Sequence, residues 1–121
     1  MMPTLARQKT LTLAQVRDLL GAEVLCGEDL SVQIGEVGAA DLMSDVLSLS
    51  KPGMLLLTGL PSTQMIRTVA VAGLCGVVLV RGKRPDGSVL ALSRERKIPL
   101  LGTPLTMFEA AGLLYLAISG R

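Results

Sequence analysis

The chain contains no histidine and no tryptophan, and its 121 residues include one phenylalanine, Phe108, and one tyrosine, Tyr115. Without histidine, zinc sites built on imidazole, Ser-His-Asp triads and Cys-His pairs are excluded within one chain. Two cysteines, Cys26 and Cys75, are too few for a four-thiolate metal site. Cys75, at the start of an apolar run, reads as a small buried hydrophobe, and Cys26, beside Gly27 near a turn, as the more exposed thiol. The scarcity of aromatic rings also leaves nothing to stack a base. Net charge is only +2, and the two densest basic stretches, Arg81–Arg84 and Arg94–Lys97, meet or contain the acids Asp86 and Glu95. A nucleic-acid partner is not expected.

Long hydrophobic runs are missing as well. The longest uncharged apolar stretch, Thr68 to Val80, is interrupted by Gly73 and Gly76, and a membrane span needs about 20 apolar residues. The opening residues are basic but have no apolar stretch with a small-residue cleavage site, so a signal peptide is not expected and the cytoplasm is the expected location. Two nucleotide signatures are absent. There is no Gly-x-Gly-x-x-Gly, and the only Gly-Lys, Gly82-Lys83, is followed by Arg84 and preceded at five residues by Val77, which is not a phosphate loop.

What the chain does have is aliphatic. Half of it is hydrophobic and 18% is charged, so the interior must be packed with Leu, Val, Ile, Ala and Met. A chain of this length is expected to form one domain with a real core. Thr12 and Gln15 make a capping box ahead of a helix that Gly21 stops. A strand is expected at Glu23–Leu25, a turn at 27–29, and a strand or strand pair over 31–40 where Gly35 and Gly38 permit a bulge. Leu42, Val46 and Leu49 have helical spacing, and Lys51-Pro52-Gly53 makes a turn. From there apolar runs alternate with helical segments: strand 54–58, helix 62–72, strand 76–80, helix 86–96, strand 98–101, and a helix from Thr103-Pro104 to about Ile118. In that last helix Phe108, Leu113 and Leu116 are expected in the core, Glu109 in the first turns, and Tyr115 at an interface. The rhythm is that of right-handed βαβ units and predicts an α/β fold, three-layer α/β/α with a mostly parallel sheet.

Strands end at Thr58-Gly59, Arg81-Gly82 and Gly102-Thr103, which places these residues on the carboxyl edge of a parallel sheet, where open α/β sheets bind ligands. Glycine at these points also serves any tight strand-to-helix turn, so both readings stand. As a ligand site the edge would comprise Thr58, Gly59, Ser62, Arg81, Gly82 and Thr103, with Ser62 and Thr63 at a helix start whose amides favour an anion. Asp41 and Asp45, four apart, could hold a cation or sit on a solvated helix face and cap. No nucleophile has a base beside it, so no catalytic residue, cofactor or metal is expected.

The phrases Ala-Asp-Leu-Met-Ser-Asp at 40–45, Lys-Pro-Gly-Met-Leu-Leu-Leu-Thr-Gly at 51–59, Ala-Gly-Leu-Cys-Gly-Val-Val-Leu at 72–79 and Ile-Pro-Leu-Leu-Gly-Thr at 98–103 resemble, in order and spacing, the DRTGG domain family. That domain is similar in turn to the N-terminal domain of HPr kinase/phosphorylase. The resemblance covers about residues 10 to 118 and implies a regulatory module without catalytic residues, since the kinase chemistry belongs to a separate phosphate-loop domain. It divides the chain into a flexible segment, 1–9, and a single DRTGG-like domain, 10–121. The sequence departs from the family pattern at Leu60-Pro61, where glycine and Asp-Arg are more usual, so it lacks those polar residues for an anion or nucleotide site.

Three readings follow. The first is a non-catalytic, ligand-sensing homodimer that binds an anionic small molecule or nucleotide at the carboxyl edge. The second is an adaptor for a protein partner with no small ligand, and the third a subunit of a phosphoryl or acyl transferase, which the missing histidine and phosphate loop disfavour.

Overall fold

The structure, a computed structural model, describes residues 9–120. Residues 1–8 of the expected flexible segment lie outside the described residues, whereas the Lys9 N–H donates to the Ile118 carbonyl at 2.7 Å.

Strand β1 (Leu11–Thr12) runs into helix α1 (Leu13–Leu20), followed by β2 (Glu23–Cys26), β3 (Gln33–Ile34) and β4 (Val37–Ala39). Then α2 (Met43–Leu49), β5 (Leu55–Thr58), α3 (Thr63–Ala72), β6 (Gly76–Leu79), α4 (Gly87–Glu95), β7 (Leu100–Gly102) and α5 (Met107–Ser119) alternate. The main sheet has five strands in the order β2-β7-β6-β5-β4, with β4 to β7 parallel and β2 antiparallel at one edge. β1 and β3 form a separate antiparallel pair.

Every residue of β5 and β6 is buried. Side chains alternate across a strand, so one register row, Leu56, Val77 and Leu100, faces α2, α3 and α4, while the next, Leu57, Val78 and Leu101, faces α1 and α5. Both faces need helices, which is why these strands read as unbroken apolar runs. Each parallel connection steps to the adjacent strand in the same direction, and right-handed crossovers therefore stack α2, α3 and α4 on one face. α5 returns across the other face beside α1. The result is the three-layer α/β/α fold. Full burial of one Leu or Val side chain stabilises it by about 1.5–3 kcal/mol.

The Thr12–Gln15 capping box and the Gly21 stop (φ +58°) form as the sequence predicts. Other expectations are corrected. Over 31–40 the chain does not make one strand pair but leaves β3, in one sheet, for β4, in the other; the bulge sits in β2, between Val24 and Cys26. α5 starts not at Thr103-Pro104 but at Thr106, whose hydroxyl and Glu109 form a second capping box. Its buried stripe is Ala110, Leu114 and Ile118, while Phe108 (88% exposed), Leu113 and Leu116 face outward. The helix is apolar almost all round, so its pattern carries no phase, and the small Ala110 seats it against the sheet. In α2, Met43 and Val46 are buried, whereas Leu42 and Leu49 are exposed. The cysteines exchange places: Cys26 is buried and Cys75 half-buried.

Leu114→Ala is expected to cost about 2–5 kcal/mol of unfolding free energy, and Leu49→Ala to stay within about 0.5 kcal/mol, measured by urea denaturation. Three exposed carboxylates should make stability acid-sensitive. The Ser31 hydroxyl and N–H hold Asp29 below its usual range, the Ser88 hydroxyl and Val89 N–H do so for Asp86, and the Thr106 N–H and hydroxyl for Glu109. A lowered folded pKa gives a contribution that is complete above the ordinary carboxylate range and lost as pH falls through the lowered values. The urea midpoint is thus expected to drop below about pH 4; a midpoint that holds steady there would contradict it.

Candidate functional site

The four parallel strands deliver their ends to one edge of the sheet. Asp41 lies there just beyond β4, Thr58 and Gly59 at the end of β5, Arg81 and Gly82 beyond β6, and Thr103 beyond β7. Ser62 caps α3 on the same edge, its hydroxyl accepting from the Met65 N–H at 3.1 Å.

A chain of contacts crosses three strand ends. The Asp41 carboxylate accepts from the Gly59 N–H at 2.7 Å and from the Thr58 hydroxyl at 3.3 Å. Its second oxygen stands 3.8 Å from the Arg81 guanidinium. That guanidinium lies over Gly59, where a Cβ would come within 3.1 Å of its central carbon. Only glycine leaves the arginine this path. The helix-cap reading of Asp41 is corrected, since α2 has Leu42 at its N-cap with no side-chain hydrogen bond, while Asp45 lies exposed in the first turn of that helix. The signal that would have found Asp41 is register, since β4 pairs with β5 and the residue two beyond Ala39 must fall beside the end of β5.

Arg81 and Gly82 both have positive φ, +59° and +67°, and the Lys83 N–H donates to the Val80 carbonyl at 3.2 Å, the pattern of a type I′ turn. For arginine this backbone costs about 1–2 kcal/mol. It is held by the Arg81 N–H on the Leu105 carbonyl, 2.7 Å, and the Gly82 N–H on the Thr103 carbonyl, 2.9 Å. The side chain stays half exposed and keeps most of its five donors for another acceptor.

The six residues expected to line a crevice therefore divide. Thr58 donates to Asp41 and accepts from the Leu60 N–H, while buried Thr103 donates to the Leu20 carbonyl at 2.8 Å and accepts from the Leu105 N–H. Both hydroxyls are engaged within the fold. Gly59 and Gly82 have their amides bonded internally, Ser62 retains its O–H, and Arg81 retains its charge and exposure. At the departure from the family pattern, Leu60 packs against the core beneath α2, α3 and α4. In the densest basic stretch, Arg84 is paired with Glu23.

Neither of the two cavities described lies at this edge. The larger, about 680 Å³, opens at the opposite, amino edge of the parallel strands and is walled by Leu74, Cys75, Ser93, Arg94, Lys97 and Pro99, among others. The smaller, about 330 Å³, lies between β4 and α5 beside Tyr115. Burial pushes the Cys75 thiol up to about 11, which keeps it protonated and a poor nucleophile. Among the described residues no group of three metal-ligating side chains assembles, and no helix is long and apolar enough to cross a membrane.

Compared with known proteins, the sequence matches the DRTGG domain over residues 15–117. No curated protein matches it. The fold is similar to the crystal structure of the CBS and DRTGG domains of the regulatory region of Clostridium perfringens pyrophosphatase, complexed with its activator diadenosine tetraphosphate. The TM-score is 0.74 at 18% identity, over 88% of this chain and 47% of that one. This chain thus spans about half the length of that region, and at this identity the likeness is one of fold.

Asp41→Ala is expected to leave the buried Gly59 amide without its charged acceptor, destabilising the domain by about 1–3 kcal/mol and speeding exchange of that amide. Asp41→Asn, which keeps an oxygen in place, should recover most of the loss. Equal losses in the two variants, read by denaturation and hydrogen exchange, would show that the contact does not hold the edge.

Proposed function

Because the chain belongs to the DRTGG domain family, we propose that it is a non-catalytic, cytoplasmic regulatory module that senses an anionic small molecule or nucleotide and works as a homodimer. The observation that carries the ligand reading is Arg81, a strained, half-exposed cation fixed at the carboxyl edge of the sheet and facing a single carboxylate at 3.8 Å. An exposed pair at that distance is worth about 0–1 kcal/mol. A phosphate or carboxylate can therefore take the guanidinium from Asp41 at little cost, with the Ser62 hydroxyl available on the same edge. Thr58 and Thr103 stand behind this contact as supports. The structurally similar regulatory region, which is complexed with a nucleotide activator, supports a sensing role.

The homodimer rests on α5. Phe108, Gly112, Tyr115 and Leu116 follow one another at helical spacing on the outward side of the helix, and Phe108 is 88% and Leu116 50% exposed. Gly112 has nothing within 4 Å of the position its Cβ would occupy. A glycine inside an exposed helix costs about 1 kcal/mol relative to alanine, and packing within the chain does not explain it. Close approach of a second copy does. The same face favours the second reading, an adaptor for another protein without a small ligand.

Light scattering should give a dimer that Leu116→Glu converts to a folded monomer; a monomeric parent protein removes the dimer from the proposal. In a thermal-shift screen of nucleotides, acyl phosphates, sugar phosphates and simple anions, a ligand at about a hundred times its Kd adds roughly 2.7 kcal/mol. Arg81→Ala should weaken such a ligand by at least about 1 kcal/mol. If no compound shifts a stable dimer, the adaptor reading replaces the sensor.

A further inference from the structure

The amino-edge cavity is built where the fold accepts two local losses, and both involve residues of its wall. The first is Ser93. It sits in α4, is 0% exposed, and its hydroxyl has no hydrogen-bond partner among the described residues. A helical serine ordinarily bonds back to a carbonyl in the preceding turn or reaches solvent; this one does neither. Alanine would fill the space without a buried, unsatisfied polar group.

The second is Lys97. α4 ends in a Schellman-type motif, with the Lys97 N–H on the Arg94 carbonyl at 3.2 Å and the Ile98 N–H on the Ser93 carbonyl at 2.9 Å. The residue at this turn must be left-handed, and Lys97 has φ +57°. Glycine occupies that place without strain, and it does so after α1, α3 and α5, at Gly21, Gly73 and Gly120. A lysine here sends a cation to the mouth of the cavity beside Arg94. Neither cation is ion-paired with a described residue.

The remaining walls define what would fit. Leu74, Ile98 and Pro99, with the protonated Cys75 thiol and Cys26, make an apolar surface. Glu28 and Asp29 stand at the mouth, Asp29 being turned onto the Ser31 hydroxyl and N–H. Acids and unpaired cations at one mouth orient a ligand so that its negative end meets Arg94 and Lys97. At about 680 Å³ the cavity falls within the range of small-molecule sites.

We propose that this cavity is a binding site for a compact anion carrying a largely apolar ring, with the ring against Leu74 and Pro99 and the carboxylate or phosphate at Arg94 and Lys97. It lies at the opposite end of the sheet from Arg81 and does not depend on the carboxyl-edge reading.

The test is an amide NMR titration of the full chain with 2-naphthoate, AMP and inorganic phosphate. At least one ring-bearing anion should shift the amides of Leu74, Cys75, Arg94, Lys97 and Ile98 saturably, and phosphate alone should not. Lys97→Gly should raise the melting temperature by a few degrees while weakening that probe by about tenfold, and Ser93→Ala should raise the melting temperature by removing a buried, unsatisfied hydroxyl. Arg81→Ala should leave these shifts unchanged, which separates failure here from failure at the carboxyl edge. No saturable shift at these amides with either ring-bearing probe, shifts confined to Gly59, Arg81 and Gly82 or to α5, or a Lys97→Gly variant that binds as tightly as the parent would each overturn the proposal.

Discussion

Two strands, β5 and β6, are buried along their whole length and on both faces, and most of the molecule follows from that. A strand with oil on both sides can carry polar groups only where its neighbours satisfy them or where it ends. The one side-chain hydroxyl within them, on Thr58, is the last residue of β5 and donates to Asp41. Polar chemistry is thereby expelled to the two rims of the sheet, and the helices that cover its faces have little to do but pack.

The rims have been put to different use. At the carboxyl rim the domain ties its own strand ends together: Asp41 from β4 meets the backbone of β5, Arg81 from β6 reaches back across Gly59, and Thr103 beyond β7 fastens to the end of α1. At the amino rim the polar groups are left apart, with cations and acids around an apolar hollow and a hydroxyl beneath it. The one-way winding of the sheet has a part in this. With β4 to β7 laid down in sequence, the strand order never reverses within the parallel section, and neither of the two described cavities lies at its carboxyl end.

The βαβ half of the fold was legible because each apolar run there is bounded by glycine, proline or a capping residue: Ser62 and Asp86 cap α3 and α4 as their positions imply. α5 was legible as a helix but not in its facing. Where Leu, Phe and Tyr fall on every side, hydrophobicity no longer says which side is in, and the deciding contact is between elements far apart in sequence. The edge residues divided for a similar reason. Arg81 and Gly82 stand where the strand spacing puts them, but that Thr58 and Thr103 are already engaged depends on Asp41 and Leu20, partners 17 and 83 residues away. The Ser93 hydroxyl gave no signal at all, because a serine in an amphipathic helix is unremarked until its surroundings are known.

One small contact bears on how such a unit can be carried. The Lys9 amide bonds to the carbonyl of Ile118, so the two ends of the described chain lie side by side next to α5. A domain entered and left at one point occupies, from the standpoint of a host protein, no more than a loop. It can be set between two other elements without separating them, and a twist or shift of α5, the last element before the exit, would be felt at both junctions at once.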